Sequence, residues 1–394
     1  MKNLIFCTII TFCTYSVNAQ WQEPSPVSYN SENVYALASD GTNIFAGTGG
    51  AGISLSTNNG ASWTAVNTGL TSTGIGALAI SGKTIFAGGD SVYISTDNGT
   101  LWTAVGNGLP KTTVNALAVN GTTLYAGTQN NGVYISTNNG TLWSAANTGF
   151  TGQVQALAIS GTSIFLGAPN HGVYVSTNNG GKWTAVNSGL TNIDVHSIAM
   201  SGSSIYAGTS GGVFVSTNNG ANWTVVNNGL TNLNVYVVLT NGSDIYVGTD
   251  DGVFYSNNNG SYWTANNDGF PAKTAVQALA INGSTLFAGI RLEPYGVWTR
   301  QLSEIKTGFI ENHMNSSCTI FPNPASHVIT LTIDNSVNAD LIFNIYSITG
   351  TLVKSTLLKQ NNRQISIDDL NNGIYLVEIR SKGWIEKQML IIQR

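Results

Sequence analysis

One eight-residue phrase recurs six times along the chain. It reads STNNGASW from Ser56, STDNGTLW from Ser95, STNNGTLW from Ser136, STNNGGKW from Ser176, STNNGANW from Ser216 and SNNNGSYW from Ser256. Its tryptophans, Trp63, Trp102, Trp143, Trp183, Trp223 and Trp263, are spaced 39, 41, 40, 40 and 40 residues apart. A fixed period of this size marks a propeller or solenoid array, in which a unit buries its apolar face only against its neighbours. Each unit holds four short strand signals. In the third, VNALAV alternates as an inner strand should, a glycine turn follows, and TTLYAGT and GVYIS combine β-branched, aromatic and small residues. Four such strands per repeat describe a propeller blade.

Seven turn glycines open the hairpins, Gly41, Gly82, Gly121, Gly161, Gly202, Gly242 and Gly283, against six phrases. Asn-Gly and Asp-Gly pairs there predict two-residue hairpins with positive φ at both central residues. The last unit runs through GVWTR at 296–300 and lacks a fourth strand. Trp21 lies 13 residues before Val34, and within the repeats the tryptophan-to-strand distance is 11 to 13. Trp21 therefore reads as an orphaned fourth strand. The expectation is an all-β chain with a seven-bladed β-propeller over residues 20–305, its N-terminal strand closing the last blade and removing open edges.

The phrases resemble the Asp-box of BNR-type propellers, Ser-x-Asp-x-Gly-x-x-Trp. The matching residues are Ser56, Gly60 and Trp63; Ser95, Asp97, Gly99 and Trp102; Ser136, Gly140 and Trp143; Ser176, Gly180 and Trp183; Ser216, Gly220 and Trp223; and Ser256, Gly260 and Trp263. The aspartate survives only at Asp97, with Asn58, Asn138, Asn178, Asn218 and Asn258 in its place. A short amide can bond its own turn as a carboxylate does, and asparagine tolerates left-handed φ. The resemblance implies a sialidase-like superfamily fold in which the phrase is structural. It also implies that an active sialidase would need three arginines around a central pocket. The repeat region offers Arg291 and Arg300, both in its final unit. A hydrolase with two carboxylates needs them about 5–9.5 Å apart. Asp194, Asp250 and Asp251 are the candidates for that alternative, a divergent glycoside hydrolase or sialidase-like enzyme. The principal reading is non-catalytic; a structural surface component without a ligand is the third.

The turns carrying the phrase are nearly identical between units. The loops between second and third strands, and the residues opening each inner strand, vary. Binding residues concentrate on such loops when a rigid frame holds them. The candidates are Tyr35, His171, Asp194, His196, Tyr236, Asp251, Arg291 and Tyr295. Tyrosines and amides suit an extracellular glycan through stacking and hydrogen bonds, or a protein partner. No Cys/His/Asp spacing suggests a metal, and no cofactor is expected. Charged residues make up 9% and the net charge is −4, which gives no nucleic-acid footprint.

The ends read differently. Lys2, the apolar run Leu4 to Phe12, and Val17-Asn18-Ala19 predict a signal peptide over 1–19; no later stretch is apolar enough to span a membrane. Residues 306–316 read as a linker, and 317–394 as a small Ig-like β-sandwich with alternating strands. That tail resembles the type A C-terminal sorting domain of the type IX secretion system of Bacteroidota. The matching stretches are FPNPAS (Phe321, Pro322, Asn323, Pro324), IYSITGTLV with Gly350, and LNNGIYLVEI with Gly373 and Tyr375. The resemblance implies that residues 317–394 engage the type IX machinery. It further implies delivery to the outer-membrane surface or the extracellular space, removal of the tail, and release or attachment to surface lipopolysaccharide.

Overall fold

The computed structural model describes residues 20–25, 33–293, 295–306, 319–332, 341–347, 351–359, 363–381 and 384–394. The expected signal peptide, most of the linker, and Gly350 lie outside them. The chain divides into two compact units, Met1–Lys306 and Thr307–Arg394. No helix among the described residues is long and apolar enough to cross a membrane.

The first unit is built of seven four-stranded antiparallel sheets. Numbered by their inner strands, these are Val34–Ser39, Ala77–Ser81, Val114–Asn120, Ala156–Ser160, Val195–Ser201, Val235–Asn241 and Ala275–Asn282. Each inner strand packs beside the next, and Ala275–Asn282 packs back on Val34–Ser39, so the array closes into a ring. Second strands are buried along nearly their whole length, as in Ile44–Thr48, because neighbouring sheets cover both faces. One glycine in each lets the next sheet approach. A Cβ on Gly289 would lie 2.6 Å from Val34 Cγ1. The fourth strands are two-residue segments such as Thr64–Ala65, too short to recruit another chain.

The seventh sheet takes its fourth strand from the other end of the unit. Gln22–Ser25 pairs antiparallel with Gly296–Gln301, Gln22 opposite Thr299. Trp21 is 1% exposed and stacks on Phe270 at 4.6 Å between ring centroids. Its backbone N–H donates to Asp268 O at 2.7 Å and its indole Nε1 to Asn266 O at 2.6 Å.

The repeated phrase acts both within and between sheets. Ser56 Oγ accepts the Gly60 N–H at 2.8 Å and donates to Asn58 Oδ1 at 3.0 Å; Asn58 Oδ1 in turn accepts the Ser62 N–H at 2.9 Å. Asp97 does the same, and the Ser95 hydroxyl and the Leu101 N–H hold its carboxyl below the usual range. The left-handed φ, 54–59°, belongs to the following residue (Asn59, Asn98, Asn139, Asn179, Asn219, Asn259), not to the Asp/Asn position where it was expected. The tryptophan then reaches across to the preceding sheet. Indole Nε1 of Trp102, Trp143, Trp183, Trp223 and Trp263 donates to the carbonyls of Val66, Val105, Ala146, Val186 and Val226 at 2.6–2.7 Å. Each lands beside a second phrase, Asn-x-Gly-Leu/Phe in five of six copies. A Cβ on its glycine (Gly69, Gly108, Gly149, Gly189, Gly229, Gly269) would lie 2.0–2.5 Å from the next sheet's tryptophan carbonyl. Trp63 Nε1 finds no partner among the described residues.

One further expectation needs correction. In six hairpins the flanking pair closes around Gly-x rather than x-Gly; Ser81 pairs with Thr84, leaving Gly82 and Lys83 as the turn. Only the glycine has positive φ, +60° at Gly82. This suits the turn with glycine first rather than the one needing positive φ twice. Leu302–Lys306 is a short helix whose Leu302 and Ile305 are buried in the core of the seventh sheet.

The second unit pairs a three-stranded sheet (Thr319–Phe321, Val328–Thr332, Gln364–Ser366) with a four-stranded one (Leu341–Ser347, Leu352–Leu358, Gly373–Ser381, Trp384–Ile392). They share one core, with Ile329 and Leu331 from the first sheet and Phe343, Ile345, Val377 and Ile379 from the second. The sorting motif stitches its ends together. Asn323 Oδ1 accepts the Ile391 N–H at 2.8 Å, Gly373 pairs with Ile392, and Tyr375 OH donates to Asn371 O at 2.9 Å. Phe321, Pro322 and Pro324 are exposed beside Ala325, whose N–H donates to Ile391 O at 2.8 Å.

Candidate functional site

The loops joining second and third strands share one face of the ring with the links between sheets. Gly52, Gly132, Gly172 and Gly252 donate their N–H to Thr73, Gly152, Ile193 and Thr274 in those links. On this face five inner strands open with a register shift, at Tyr35, Asn115, His196, Tyr236 and Gln277. A bulge leaves its extra residue outside the ladder and re-aims the side chain. The residue before it is pinned. Val34, Val114, Val195, Val235 and Val276 are all 0% exposed, each against a glycine of the neighbouring second strand. Sheets two and four carry Gly76 and Gln155 at the same place, bonded to Gly88 O and Gly167 O. A rigid lattice thus presents five residue types at seven equivalent positions around one mouth.

Four adjacent sheets join these residues into a polar and aromatic arc. In sheet five, Ser210 Oγ donates to Asp194 Oδ2 at 2.6 Å and contacts His196 Nε2 at 2.9 Å. Burial pushes the His196 imidazole down, with Asp194 opposing, so at neutral pH it is uncharged. Its ring lies 5.9 Å from that of Tyr236 in sheet six. Tyr236 OH donates to Asp250 Oδ1 at 2.7 Å, and Asn234 Nδ2 bridges Asp250 Oδ2 at 2.8 Å and Tyr236 OH at 2.9 Å. Burial and the Asp250 acceptor raise the Tyr236 phenol, which stays protonated. Arg291 of sheet seven places its guanidinium 5.7 Å from the Tyr236 centroid, within cation–π range. The next residue, Leu292, donates its N–H to Asn33 Oδ1 at 2.9 Å, and Asn33 Nδ2 donates to Tyr35 OH of sheet one at 3.0 Å.

Five of the eight candidates therefore meet: Tyr35, Asp194, His196, Tyr236 and Arg291. His171 lies apart, in an open cleft of about 420 Å³ with Phe150 and Tyr174, its Nδ1 2.8 Å from Pro169 O. Asp251 is exposed and serves its loop through its backbone, the N–H on Thr249 Oγ1 at 3.0 Å and the carbonyl on Asn267 Nδ2 at 2.8 Å. Tyr295 is half-buried ahead of Gly296–Gln301. Ser210 is a member that sequence reasoning missed. Its signal was a fixed offset. Strand-opening and loop residues bond 14 or 16 positions apart, as His196–Ser210, Asp194–Ser210, Tyr236–Asp250 and Asn234–Asp250 do.

The Asp194–Ser210–His196 cluster is not ordered as a nucleophile. A serine nucleophile gives its proton to the imidazole, with the carboxylate behind the imidazole. Here the serine proton goes to the carboxylate, so His196 Nε2 carries the hydrogen it shares with Ser210. Both carboxylates of the arc are occupied as acceptors from neighbouring side chains.

Two family descriptions match the chain. A DUF6242 beta propeller domain matches residues 84–191 and, in overlap, 155–286, together more than half of the sequence. The chain belongs to the DUF6242 β-propeller family. The overlap is what a 40-residue repeat produces when one pattern fits it in two registers. A secretion system C-terminal sorting domain matches 319–393. This DUF6242 propeller therefore carries a type IX sorting tail, which implies export to the cell surface or extracellular space. Similar folds among solved structures share little sequence. PorZ, a bacterial surface component of the type IX secretion system of Porphyromonas gingivalis, is 15% identical with a TM-score of 0.59, over 94% of this chain and 61% of PorZ. YCF48 from Cyanidioschyzon merolae is 14% identical with a TM-score of 0.57, over 73% of this chain and 99% of that one. A GH74 enzyme of Niastella koreensis is 20% identical with a TM-score of 0.54, over 68% of this chain and 43% of the enzyme. At these identities the likeness concerns the fold. A comparison with curated proteins finds no match.

Proposed function

We propose that this surface-exported propeller binds an extracellular glycan on the arc from Asp194 to Tyr35, without transforming it. The observation carrying this reading is the continuity of the arc across four sheets. Two tyrosine rings and an imidazole offer faces for sugar rings. Asp194 and Asp250 offer the acceptor lone pairs that their neighbours leave open, and Arg291 offers donors. The direction of the Ser210 hydrogen bond supports a non-catalytic role. Residues 1–19 serve as the signal peptide, and the tail hands the propeller to the type IX machinery.

The test is a glycan array probed with purified residues 20–306, beside a Tyr35→Ala/Tyr236→Ala variant. Selective binding that weakens at least ~10-fold in the variant is expected, the size of one lost anchor residue. Binding left unchanged in the variant would move the site off the arc. Absence of any glycan binding would transfer the arc to a protein partner.

A further inference from the structure

The described propeller residues contain twelve Asn-Gly bonds, the dipeptide most prone to spontaneous deamidation; nine lie in the turns after first and third strands, and Asn107, Asn131 and Asn228 lie in the links and loops of the other face. In that reaction the glycine nitrogen attacks the asparagine side-chain carbonyl carbon. Its proton is lost, the C–N bond to the side-chain amide breaks, and ammonia leaves. Water then opens the cyclic imide to aspartate or isoaspartate. The glycine nitrogen must be free to shed its proton and to swing onto the side chain.

Six of these bonds sit in the repeated phrase, at Asn59, Asn98, Asn139, Asn179, Asn219 and Asn259, all exposed. Each following glycine N–H is held by the phrase's serine. Gly60, Gly99, Gly140, Gly180, Gly220 and Gly260 donate to Ser56, Ser95, Ser136, Ser176, Ser216 and Ser256 Oγ at 2.8–3.0 Å. Each asparagine is also fixed at φ 54–59°. Asn282 is locked differently. It is 3% exposed, and its amide bonds Ser39, Thr42 and Asn59.

Asn120 and Asn241 carry the same dipeptide at the same exposure without this lock. Each ends an inner strand, pairing with Thr123 and Asp244, and the next glycine is the first central residue of a two-residue turn. The ladder gives no partner to the N–H at that turn position. Neither side chain is held by a hydrogen bond among the described residues.

We propose that, among these nine hairpin bonds, Asn120 and Asn241 are the deamidation sites of the folded propeller, and that the serine of the repeated phrase shields the six asparagines beside it. Ageing would then add negative charge on the hairpin face, opposite the arc, and leave the phrase intact.

The experiment incubates purified residues 20–306 at pH 9 and 37 °C and maps +1 Da peptides over time. Asn120 and Asn241 are expected to convert at least ~10-fold faster than any of the six phrase asparagines, the factor one hydrogen bond supplies. A Ser136→Ala variant should raise conversion at Asn139 alone. Far-ultraviolet circular dichroism of that variant checks that the fold persists. Equal rates at all eight sites, or faster conversion within the unmutated phrases, would overturn the proposal. So would an unchanged Asn139 rate in a folded Ser136→Ala protein.

Discussion

Trp21→Ala tests whether the N-terminal strand closes the ring. Trp21 is fully buried, stacked on Phe270, and bonded through its indole to Asn266 O. Truncating a buried tryptophan costs about 3–5 kcal/mol, and the lost indole bond belongs within that range at about 1 kcal/mol. Trp63, at the same repeat position, is half-buried and its Nε1 has no partner among the described residues. With less area and no bond, Trp63→Ala should cost about 2 kcal/mol. A unit of about 290 residues has an unfolding entropy of roughly 0.6 kcal/mol/K, so the two variants should lower Tm by about 7 °C and 3 °C. The assay is calorimetry of residues 20–306 with chemical denaturation alongside. Equal effects at the two positions, or a Trp21→Ala shift below about 2 °C, would refute a closing role for the strand.

Two other outcomes follow from the same structure. The His196 pKa is depressed in the fold, so the unfolded chain takes up the proton first as pH falls below about 6.5 and stability drops there. A His196→Asn variant should flatten stability against pH between 7 and 5; parallel curves would contradict the burial argument. Deleting 317–394 should hold the propeller in the periplasm of its native cell, as surface fractionation would show. Surface delivery of that deletion would count against the sorting role.

The architecture was legible because a repeat states each structural need several times. The phrase fixed the period, and the spacing of Trp21 to Val34 identified a fourth strand displaced to the other end of the unit. Finer geometry was not legible. The Asp/Asn position and the next asparagine are both plausible hosts for positive φ, and only the backbone shows that Asn59 and its equivalents take it. The Asn-x-Gly-Leu/Phe phrase looked like a mere link because its role is to receive a tryptophan from the next repeat. The arc was half legible for the same reason. Residue variety at the strand openings marked Asp194, His196 and Tyr236. Ser210 is unremarkable until the hairpin brings it 2.6 Å from Asp194. His171 lies apart from the arc, and a lone variable histidine carries no information about which neighbour it meets.

The most direct measurement of the binding role is a hydrogen-exchange footprint of residues 20–306 with and without a glycan selected on the array. The result expected is slowed exchange confined to residues 33–35, 194–196, 209–211, 234–236, 250–251 and 291–293, with the six repeated phrases unchanged. Protection centred on the phrases, or on the Phe150–His171 cleft, would contradict a site on the arc.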